Sequence, residues 1–428
     1  MNNSVNFEQK KMIEHLLRSW TDKRLGRAQL VTIVSTLFDV YAGVGFHHPH
    51  TKWRVPRALY KHLEKSRRVQ APDLTARTVG APVFAFGDIN IGFTGELIDQ
   101  STFGVPQTPW TGGNVIRSDA AIELRRGYLS AITFMDRQFG RVLDSLDELG
   151  VANETVVIFT SDHGYGIGER GHWGKGSLYE IDVRVPLIVR DPEAAAGHGK
   201  SCAHLVELVD LFKSVIDLAN LPFSKTLYTW LEGHSLRASL SKPRSRLRHR
   251  DIAITMMPKC YGKSKEADVT PFSCNDKSFT WSGRLEQGYF PLLGYAARSN
   301  DYRYVAWMKH NATFDAVDWS QVPAFEELYD NRKMSETDFD STDTVNLVMQ
   351  TPANDFPRIR SIADQHLGWL RRAARDRFTR AFGQYAHRVH NDHPSLPAGA
   401  TLDPWKRDRS LDKLPPRQKP PKGRANQK

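Results

Sequence analysis

The most constraining feature of this 428-residue sequence is the stretch from Thr155 to Val189. It opens with an apolar, β-rich run that ends at Phe159 and lacks polar alternation, which is typical of a strand buried on both faces of a mostly parallel sheet. Asp162 and His163 follow at once, where the chain leaves the sheet. Because open α/β folds bind ligands at that edge, the pattern predicts a functional loop after Phe159.

A glycine-rich loop continues from this point, with six glycines between residues 164 and 176. Glycine lets the backbone approach a bound ion closely, and an aspartate beside a histidine offers ligands to a divalent cation. Lys175 in the same loop supplies a positive charge for an anion next to that cation. An isolated Asp-His-Gly is more often an ordinary surface turn, but this density of glycine, Asp162, His163 and Lys175 favours a binding loop.

These residues resemble the second signature region of the sulfatases in the alkaline phosphatase superfamily. The matching text is Ser161-Asp162-His163-Gly164, then His172-Trp173-Gly174-Lys175, then Arg184-Val185-Pro186-Leu187-Ile188-Val189. The histidine after the aspartate is similar to the iduronate 2-sulfatase branch. The resemblance implies a calcium site with Asp162 and His163 as metal ligands, and Lys175 as a catalytic residue that binds the sulfate.

A second candidate loop runs from Gly45 to His50 and follows a strand-like run from Val31 to Val44. Histidine exchanges a proton near neutral pH, and Pro49 stiffens the turn. A bare histidine cluster is as often a solvated turn as a site. The loop also resembles the G-Y-H-K-P-H motif of iduronate 2-sulfatase-like proteins, which implies that His47 binds the substrate and donates a proton to the leaving alcohol.

The resemblance implies an α/β fold: the three-layer α/β/α sheet of sulfatases and alkaline phosphatases, here incomplete, with a smaller C-terminal α+β subdomain. Apolar spacing predicts helices over 118–150, 206–218 and 358–388, and a hairpin between 294 and 305. The predicted organisation is an N-terminal helical segment (1–30), a partial sulfatase-like core (31–236), a basic linker (237–250), a sulfatase subdomain (251–350), a helical extension (351–391) and a disordered basic tail (392–428).

The net charge of +11 is concentrated at the C-terminus. Residues 406–428 hold nine basic and two acidic residues, so they supply +7 of that charge and leave +4 for the other 405 residues. A non-catalytic protein that binds polyanions through this tail is therefore an alternative from a different class. The nearly balanced body gives no support for specific nucleic-acid recognition.

Composition and targeting signals bound the class of protein further. Three cysteines are too few for a disulfide scaffold, and no apolar run is long enough to span a membrane. The N-terminus lacks the layout of a signal peptide, so the sequence as written predicts a cytoplasmic protein. The resemblance instead implies a lysosomal or secreted protein, with Asn153 and Asn311 as glycosylation acceptors. The oligomeric state is left open.

One expected element is missing from the sequence. Sulfatases use a formylglycine nucleophile made from the first residue of C/S-x-P-x-R, and none of the three cysteines begins this motif. Ser241-Lys242-Pro243-Arg244-Ser245 has its arginine one position early, and only 46 residues precede His47. We therefore expect the chain to lack the N-terminal part of such an enzyme and to have impaired activity, because losing a nucleophile removes covalent catalysis.

The predicted function is a sulfuric ester hydrolase of the iduronate 2-sulfatase type, which acts with calcium on sulfated glycosaminoglycan sugars. A phosphoester hydrolase of the same superfamily stays open as an alternative, since a cation loop of this kind accepts both tetrahedral anions.

Overall fold

The computed structural model describes residues 28–35, 40–66, 69–72, 78–85, 118–245, 249–261, 290–311, 316–334 and 342–392. The chain divides into two compact units. The first comprises Met1–Asp73, Asn90–Val157 and Arg190–Glu193, and the second comprises Leu74–Ile89, Ile158–Val189 and Ala194–Lys428. The N-terminal helical segment predicted for 1–30 lies outside the described residues up to residue 27, and the predicted tail lies outside them from residue 393. The predicted domain boundaries stay a prediction.

The first unit begins with an antiparallel pair of strands, β1 (Ala28–Ser35) and β2 (Val40–Phe46). Ala28 pairs with Phe46 and Ser35 with Val40, with an irregularity after Leu30. The sequence predicts one continuous strand-like run here, and the structure has two strands instead. Residues 36–39 contain no glycine or proline, so the strongest sequence signals for a chain reversal are absent.

Two helices complete the described part of the first unit, α1 (Arg57–Ser66) and α2 (Ser118–Glu148). Helix α2 is followed by Gly150, whose φ of +71° is the left-handed conformation that favours glycine after a helix. The N–H of Val151 bonds the carbonyl of Leu146 across this end. The helix predicted for 118–150 is thereby confirmed.

The most buried residues of α2 are not the large apolar residues whose spacing predicts the helix. They are mainly small residues, including Ala120, Ala121 and Ala131, together with Leu124. The larger apolar residues of the predicted stripe, such as Ile122 and Phe139, are only half-buried. Small side chains allow close approach of neighbouring elements, which spacing alone does not reveal.

The loop that contains Asp162 and His163, residues 161–186, is called the acid-histidine loop. It lies between two paired strands, β3 (Val157–Thr160) and β6 (Leu187–Arg190). Between them lie the short antiparallel strands β4 (Gly166–Ile167) and β5 (Trp173–Gly174), followed by the helical turn α3 (Glu180–Val183). The strand predicted before Ser161 is thus confirmed, but its predicted burial on both faces is wrong, because all four residues of β3 are only half-buried.

Three short helices follow, α4 (Asp210–Leu218), α5 (Lys225–Trp230) and α6 (Arg237–Ser241). Helix α4 begins four residues later than the predicted 206–218, because Glu207 is held by contacts outside the helix. Its carboxylate accepts the N–H of Ile254 at 2.6 Å and pairs with Arg250 at 2.6 Å. Among the described helices, none is both long enough and apolar enough to cross a bilayer.

The C-terminal part contains a five-stranded antiparallel sheet in the order β10-β9-β8-β7, with β11 paired to β9. Its strands are β7 (Ala253–Tyr261), β8 (Phe290–Arg298), β9 (Tyr302–Asn311), β10 (Ala316–Val317) and β11 (Phe325–Asp330). Arg298 pairs with Arg303, which confirms the predicted hairpin. A turn of helix, α7 (Leu347–Gln350), and the long helix α8 (Phe356–Asp392) end the described chain.

Alternate residues of β9 point to opposite faces of this sheet, as the two-residue period of a strand requires. Tyr304, Ala306 and Met308 share a buried cluster with residues of α8, among them Ile359 and Leu370. The region that the sequence predicts as a helical extension therefore contributes its first half to the core of the sheet.

The opposite face of the sheet covers the base of the glycine-rich loop. Val305 and Trp307 of β9 lie in a second buried cluster with Phe84 and with Leu178 of that loop. The ring of Phe84 meets Trp307 edge-on, with centroids 5.0 Å apart. The C-terminal sheet thus provides the platform on which the acid-histidine loop is folded.

Candidate active-site loop

The loop after β3 is closed on itself by its own backbone. The N–H of Gly164 donates to the carbonyl of Asp182 at 2.8 Å, which joins the start of the loop to helix α3. A Cβ on Gly164 would lie 2.0 Å from the carbonyl oxygen of Ile181, so only glycine fits this approach. This closure leaves Ser161, Asp162 and His163 on the outer side of the joint.

Asp162 and His163 form the exposed edge of the loop. The Asp162 side chain is 83% exposed and that of His163 is 37% exposed, and Oδ2 of Asp162 lies 3.4 Å from Nε2 of His163. Nδ1 of His163 lies 2.8 Å from the carbonyl oxygen of Gly164. Because a carbonyl only accepts, Nδ1 carries the proton, and Nε2 of the neutral ring keeps its lone pair.

Lys175 completes this group from strand β5 and its following turn. Its Nζ lies 3.1 Å from Nε2 of His163. An ammonium has only donors, so Lys175 donates a hydrogen bond to the Nε2 lone pair of His163. A carboxylate, an imidazole and an ammonium therefore meet at one exposed point, where a cation and an anion can each find a partner.

His172, which lies in the same loop, has a different place. Its ring is 1% exposed, and its Nε2 lies 3.0 Å from Oδ2 of Asp182. Asp182 also accepts the N–H of Ser177 at 2.8 Å and the hydroxyl of Ser177 at 2.6 Å. This buried carboxylate has its oxygens satisfied by neighbours within the loop, so His172 and Asp182 fix the conformation that presents Lys175.

Two buried ion pairs tie the loop to the C-terminal sheet. Nε of Arg298 lies 2.7 Å from Oε1 of Glu180, the first residue of α3. Arg303 is fully buried and pairs with Asp343, whose Oδ2 also accepts the N–H of Glu180 at 2.9 Å. The guanidinium of Arg303 lies over the ring of Tyr179, 5.3 Å from its centroid. Residues of two strands, β8 and β9, thus hold helix α3 in place.

Further contacts hold the middle of the loop. Lys259 of β7 is 1% exposed and donates to the carbonyl of Gly176 at 2.5 Å, one residue after Lys175. Arg170 has a left-handed φ of 58° and donates from two nitrogens to the carbonyl of Thr342, at 2.7 and 3.0 Å. Sequence reasoning missed these supports, because their partners are distant in sequence.

The platform beneath the loop contains polar groups whose titration is shifted by burial. Burial raises the pKa of Glu327, although hydrogen bonds from Tyr329 and Trp307 and the charge of Arg303 oppose that rise. Burial, reinforced by the charge of Glu327, raises the pKa of Tyr329 well above its ordinary value. The phenol therefore stays neutral and donates its hydrogen bond to Glu327.

The histidine loop of the first unit is organised around one carbonyl. Nε2 of His47 lies 3.1 Å from the carbonyl oxygen of Thr51, and Nδ1 of His50 lies 2.7 Å from the same atom. Both nitrogens therefore carry protons. The indole N–H of Trp53 donates to the carbonyl of Pro49 at 2.9 Å, and its ring meets Tyr128 of α2 edge-on. The His47 side chain itself is exposed.

The structure therefore brings together three of the four predicted site residues, Asp162, His163 and Lys175. His47 belongs to the first compact unit and the other three to the second. The roles assigned to all four residues stay predictions.

Sequence comparisons with known proteins agree with the resemblance to sulfatases. Residues 39–221 match the family model described as Sulfatase. Iduronate 2-sulfatase of Mus musculus is 27% identical over 321 residues, 68% of this chain and 55% of that protein. The Homo sapiens iduronate 2-sulfatase is 28% identical over 322 residues, with the same shares covered. The chain thus spans about half the length of these relatives.

A solved structure shares the fold. It is that of BT4656 in complex with its substrate D-glucosamine-2-N,6-O-disulfate, with a TM-score of 0.51 and 18% sequence identity. The match covers 87% of this chain and 70% of that one. The predicted α/β fold class is confirmed by this likeness. Residues 39–221, which match the family model, are similar to the sulfatase family.

Proposed function

We propose that the chain is a sulfuric ester hydrolase of the iduronate 2-sulfatase type, acting on sulfated glycosaminoglycan sugars with a divalent cation. One observation carries the proposal: Asp162, His163 and Lys175 meet at one exposed point of a loop within the residues that match the sulfatase family model. Sulfate esters are anionic, and this point offers both an ammonium and ligands for a cation.

The residues present fit one edge of a cation site. The hydrogen bond from Nδ1 of His163 to Gly164 fixes the tautomer that directs a lone pair outward from Nε2, and such second bonds orient histidine ligands. Asp162 places a carboxylate beside it. Calcium takes six to eight oxygen ligands, so these two side chains supply a minority of its shell. When bound, the cation would polarise the sulfate ester.

Lys175 is proposed to bind the sulfate group. Its ammonium is engaged with Nε2 of His163, the same nitrogen that a cation would use. A cation on Nε2 would therefore release Lys175 to donate to a sulfate oxygen. Lysine acts toward such anions as a point charge with three donors, which suits a group whose negative charge grows during S–O cleavage.

His47 is proposed to donate a proton to the leaving alcohol. Its Nε2 proton is directed at the carbonyl of Thr51, so the proton given to the alkoxide would come from Nδ1 of the doubly protonated imidazole, which becomes neutral as the alcohol leaves. General acid catalysis of this kind contributes typically about 10²–10⁴-fold.

We further propose that the rate of these 428 residues is impaired, because no C/S-x-P-x-R motif is present. Ser241, the near match, ends helix α6 and donates its hydroxyl to the carbonyl of Arg237 at 3.0 Å. Without covalent catalysis, binding and electrostatic stabilisation retain only a small part of an enzyme's acceleration.

The proposal is tested by prolonged incubation with an iduronate 2-sulfate disaccharide and calcium, with released sulfate measured by ion chromatography. The expected result is slow release above the buffer blank, abolished by chelation and by Lys175→Met or Asp162→Asn. Lys200→Met, which removes an exposed lysine of the same unit, serves as the control. Release that is equal in all four proteins would contradict the proposal.

The two alternatives give different results in the same assay. A phosphoester hydrolase would release phosphate from the matching phosphate ester faster than sulfate from the sulfate ester. A non-catalytic polyanion-binding protein would release neither and would lose its heparin retention on deletion of residues 392–428, because basic tails bind through counterion release.

A further inference from the structure

A second cluster of metal-ligating side chains lies outside the acid-histidine loop. Asp210 begins helix α4, His234 precedes helix α6, and His249 precedes strand β7. One ligand atom from each residue lies within 4.8 Å of the others. Asp210 is fully buried, and the side chain of His249 is 6% exposed. Three separate segments of the second unit therefore converge on one point.

The spacing of two of these atoms suits a single ion. Nε2 of His249 lies 3.2 Å from Oδ2 of Asp210. Zinc bonds of ~2.0–2.1 Å at the tetrahedral angle place neighbouring ligand atoms about 3.3 Å apart. His234 is the more exposed member and can complete the set by a small side-chain movement.

The surroundings orient the ligands. Oδ1 of Asp210 accepts the N–H of His234 at 2.8 Å and pairs with Arg250, whereas Oδ2 accepts the N–H of Glu207 at 2.9 Å and faces His249. Arg250 also lies 3.4 Å from Nδ1 of His234. Because a guanidinium has no acceptor, that nitrogen is unprotonated and directs its lone pair at Arg250, with which a bound ion would compete.

The positive charge of Arg250 repels a cation at this cluster, but that charge is divided between two carboxylates. Arg250 pairs with Glu207 at 2.6 Å as well as with Asp210. Two buried carboxylates thus face one guanidinium, so the charge of Asp210 is only partly offset. Oδ2 remains the oxygen that faces the imidazole of His249.

We propose that Asp210, His234 and His249 bind one divalent ion of the zinc class. Two imidazoles and one carboxylate suit Zn²⁺, Co²⁺ or Ni²⁺ rather than calcium, which prefers oxygen ligands throughout. The ion fastens the start of α4 to the segments that enter α6 and β7. It differs in residues and in chemistry from the cation of the acid-histidine loop.

The proposal is tested with the metal alone, on the chelator-treated 428-residue protein. Co²⁺ is titrated and followed by its visible d–d absorption, and Zn²⁺ is then added in competition. The expected result is one equivalent of Co²⁺, displaced by Zn²⁺, with a rise in the thermal unfolding midpoint, because a ligand that binds only the folded state stabilises it.

Variants locate the site. His234→Gln and His249→Gln are each expected to weaken Co²⁺ binding by about tenfold or more, the scale of losing a metal-site contact. A cooperative thermal unfolding transition without metal shows that each variant folds. His50→Gln removes a histidine of the loop in the first unit and should leave the Co²⁺ signal unchanged.

Two results would overturn the proposal. One is stoichiometric Co²⁺ binding that survives in both His234→Gln and His249→Gln or disappears in His50→Gln. The other is the absence of saturable Co²⁺ or Zn²⁺ binding by the wild-type protein. Because no substrate is used, either result leaves the proposed sulfatase function untouched.

Discussion

The ammonium of Lys175 lies 3.1 Å from Nε2 of His163. Under the proposed function a cation would use the same nitrogen, so Lys175 and the cation would compete for one lone pair. A cation that took Nε2 would leave the ammonium free to bind a sulfate beside it. We therefore propose that cation binding and anion binding are coupled in this loop.

This competition predicts the effect of Lys175→Met on calcium. The wild-type chain should bind calcium no tighter than about millimolar, since Asp162 and His163 alone are a sparse ligand set. Removing the competing ammonium should leave the affinity equal or higher. Isothermal titration calorimetry measures both, with Asp162→Asn as the variant that loses the remaining calcium signal. A micromolar site in the wild type, or weaker binding in Lys175→Met, would refute the coupling.

Two aspartates of the same loop should differ sharply in their contribution to stability. Asp182→Asn disturbs a buried carboxylate that accepts bonds from His172 and from Ser177, and unsatisfied buried groups cost about 1–3 kcal/mol each. Asp162→Asn is the matched control, because the Asp162 side chain is 83% exposed. Its effect should stay within about 0.5 kcal/mol. Urea unfolding compares the two; equal losses would show that Asp182 does not organise the loop.

The buried pair of Arg303 and Asp343 gives a test of how the sheet supports the loop. Arg303→Met should destabilise the protein by about 3–5 kcal/mol, because it leaves the carboxylate of Asp343 buried without its cation. Adding Asp343→Asn to Arg303→Met removes that charge and should recover part of the loss. Denaturant midpoints of the single and double variants measure the recovery. If the losses simply add, the two residues are not coupled.

Much of the fold and of the site follows from local sequence patterns. The periodicity of α2, the hairpin at Arg298 and the proximity of Lys175 to His163 are all predictable from spacing and from the family motif. The supports of the loop are not. Asp343 reaches Arg303 across 40 residues, and Lys259 reaches Gly176 across 83. Such buried polar contacts depend on which segments the tertiary fold brings together, and a local window carries no trace of that.

His366 predicts a pH dependence of stability in the C-terminal core. Burial lowers the pKa of its imidazole, with the nearby charge of Arg298 adding to the effect, although a bond to the carbonyl of Ile362 opposes it. The unfolded chain therefore binds a proton first as the pH falls through about 6.5. Stability should fall below that pH, by at most about 1.4 kcal/mol per unit, and level off below the lowered native pKa.

Urea unfolding of wild type and His366→Gln between pH 7.5 and 5 measures this contribution. The variant lacks the imidazole, so its stability should fall less steeply over that window. Parallel slopes for the two proteins would mean that His366 is as easily protonated in the folded protein as in the unfolded chain.

Calorimetry with a 2-O-sulfated uronate disaccharide in the presence of calcium tests directly whether the loop around Lys175 binds sulfate esters. We expect the sulfated sugar to bind and Lys175→Met to weaken its binding by about tenfold or more, the loss expected for a hydrogen bond to a charged group. Lys200→Met and deletion of residues 392–428 should have no effect. Equal affinity of wild type and Lys175→Met, or equal binding of the desulfated sugar, would contradict the assignment of this loop as a sulfate-ester site.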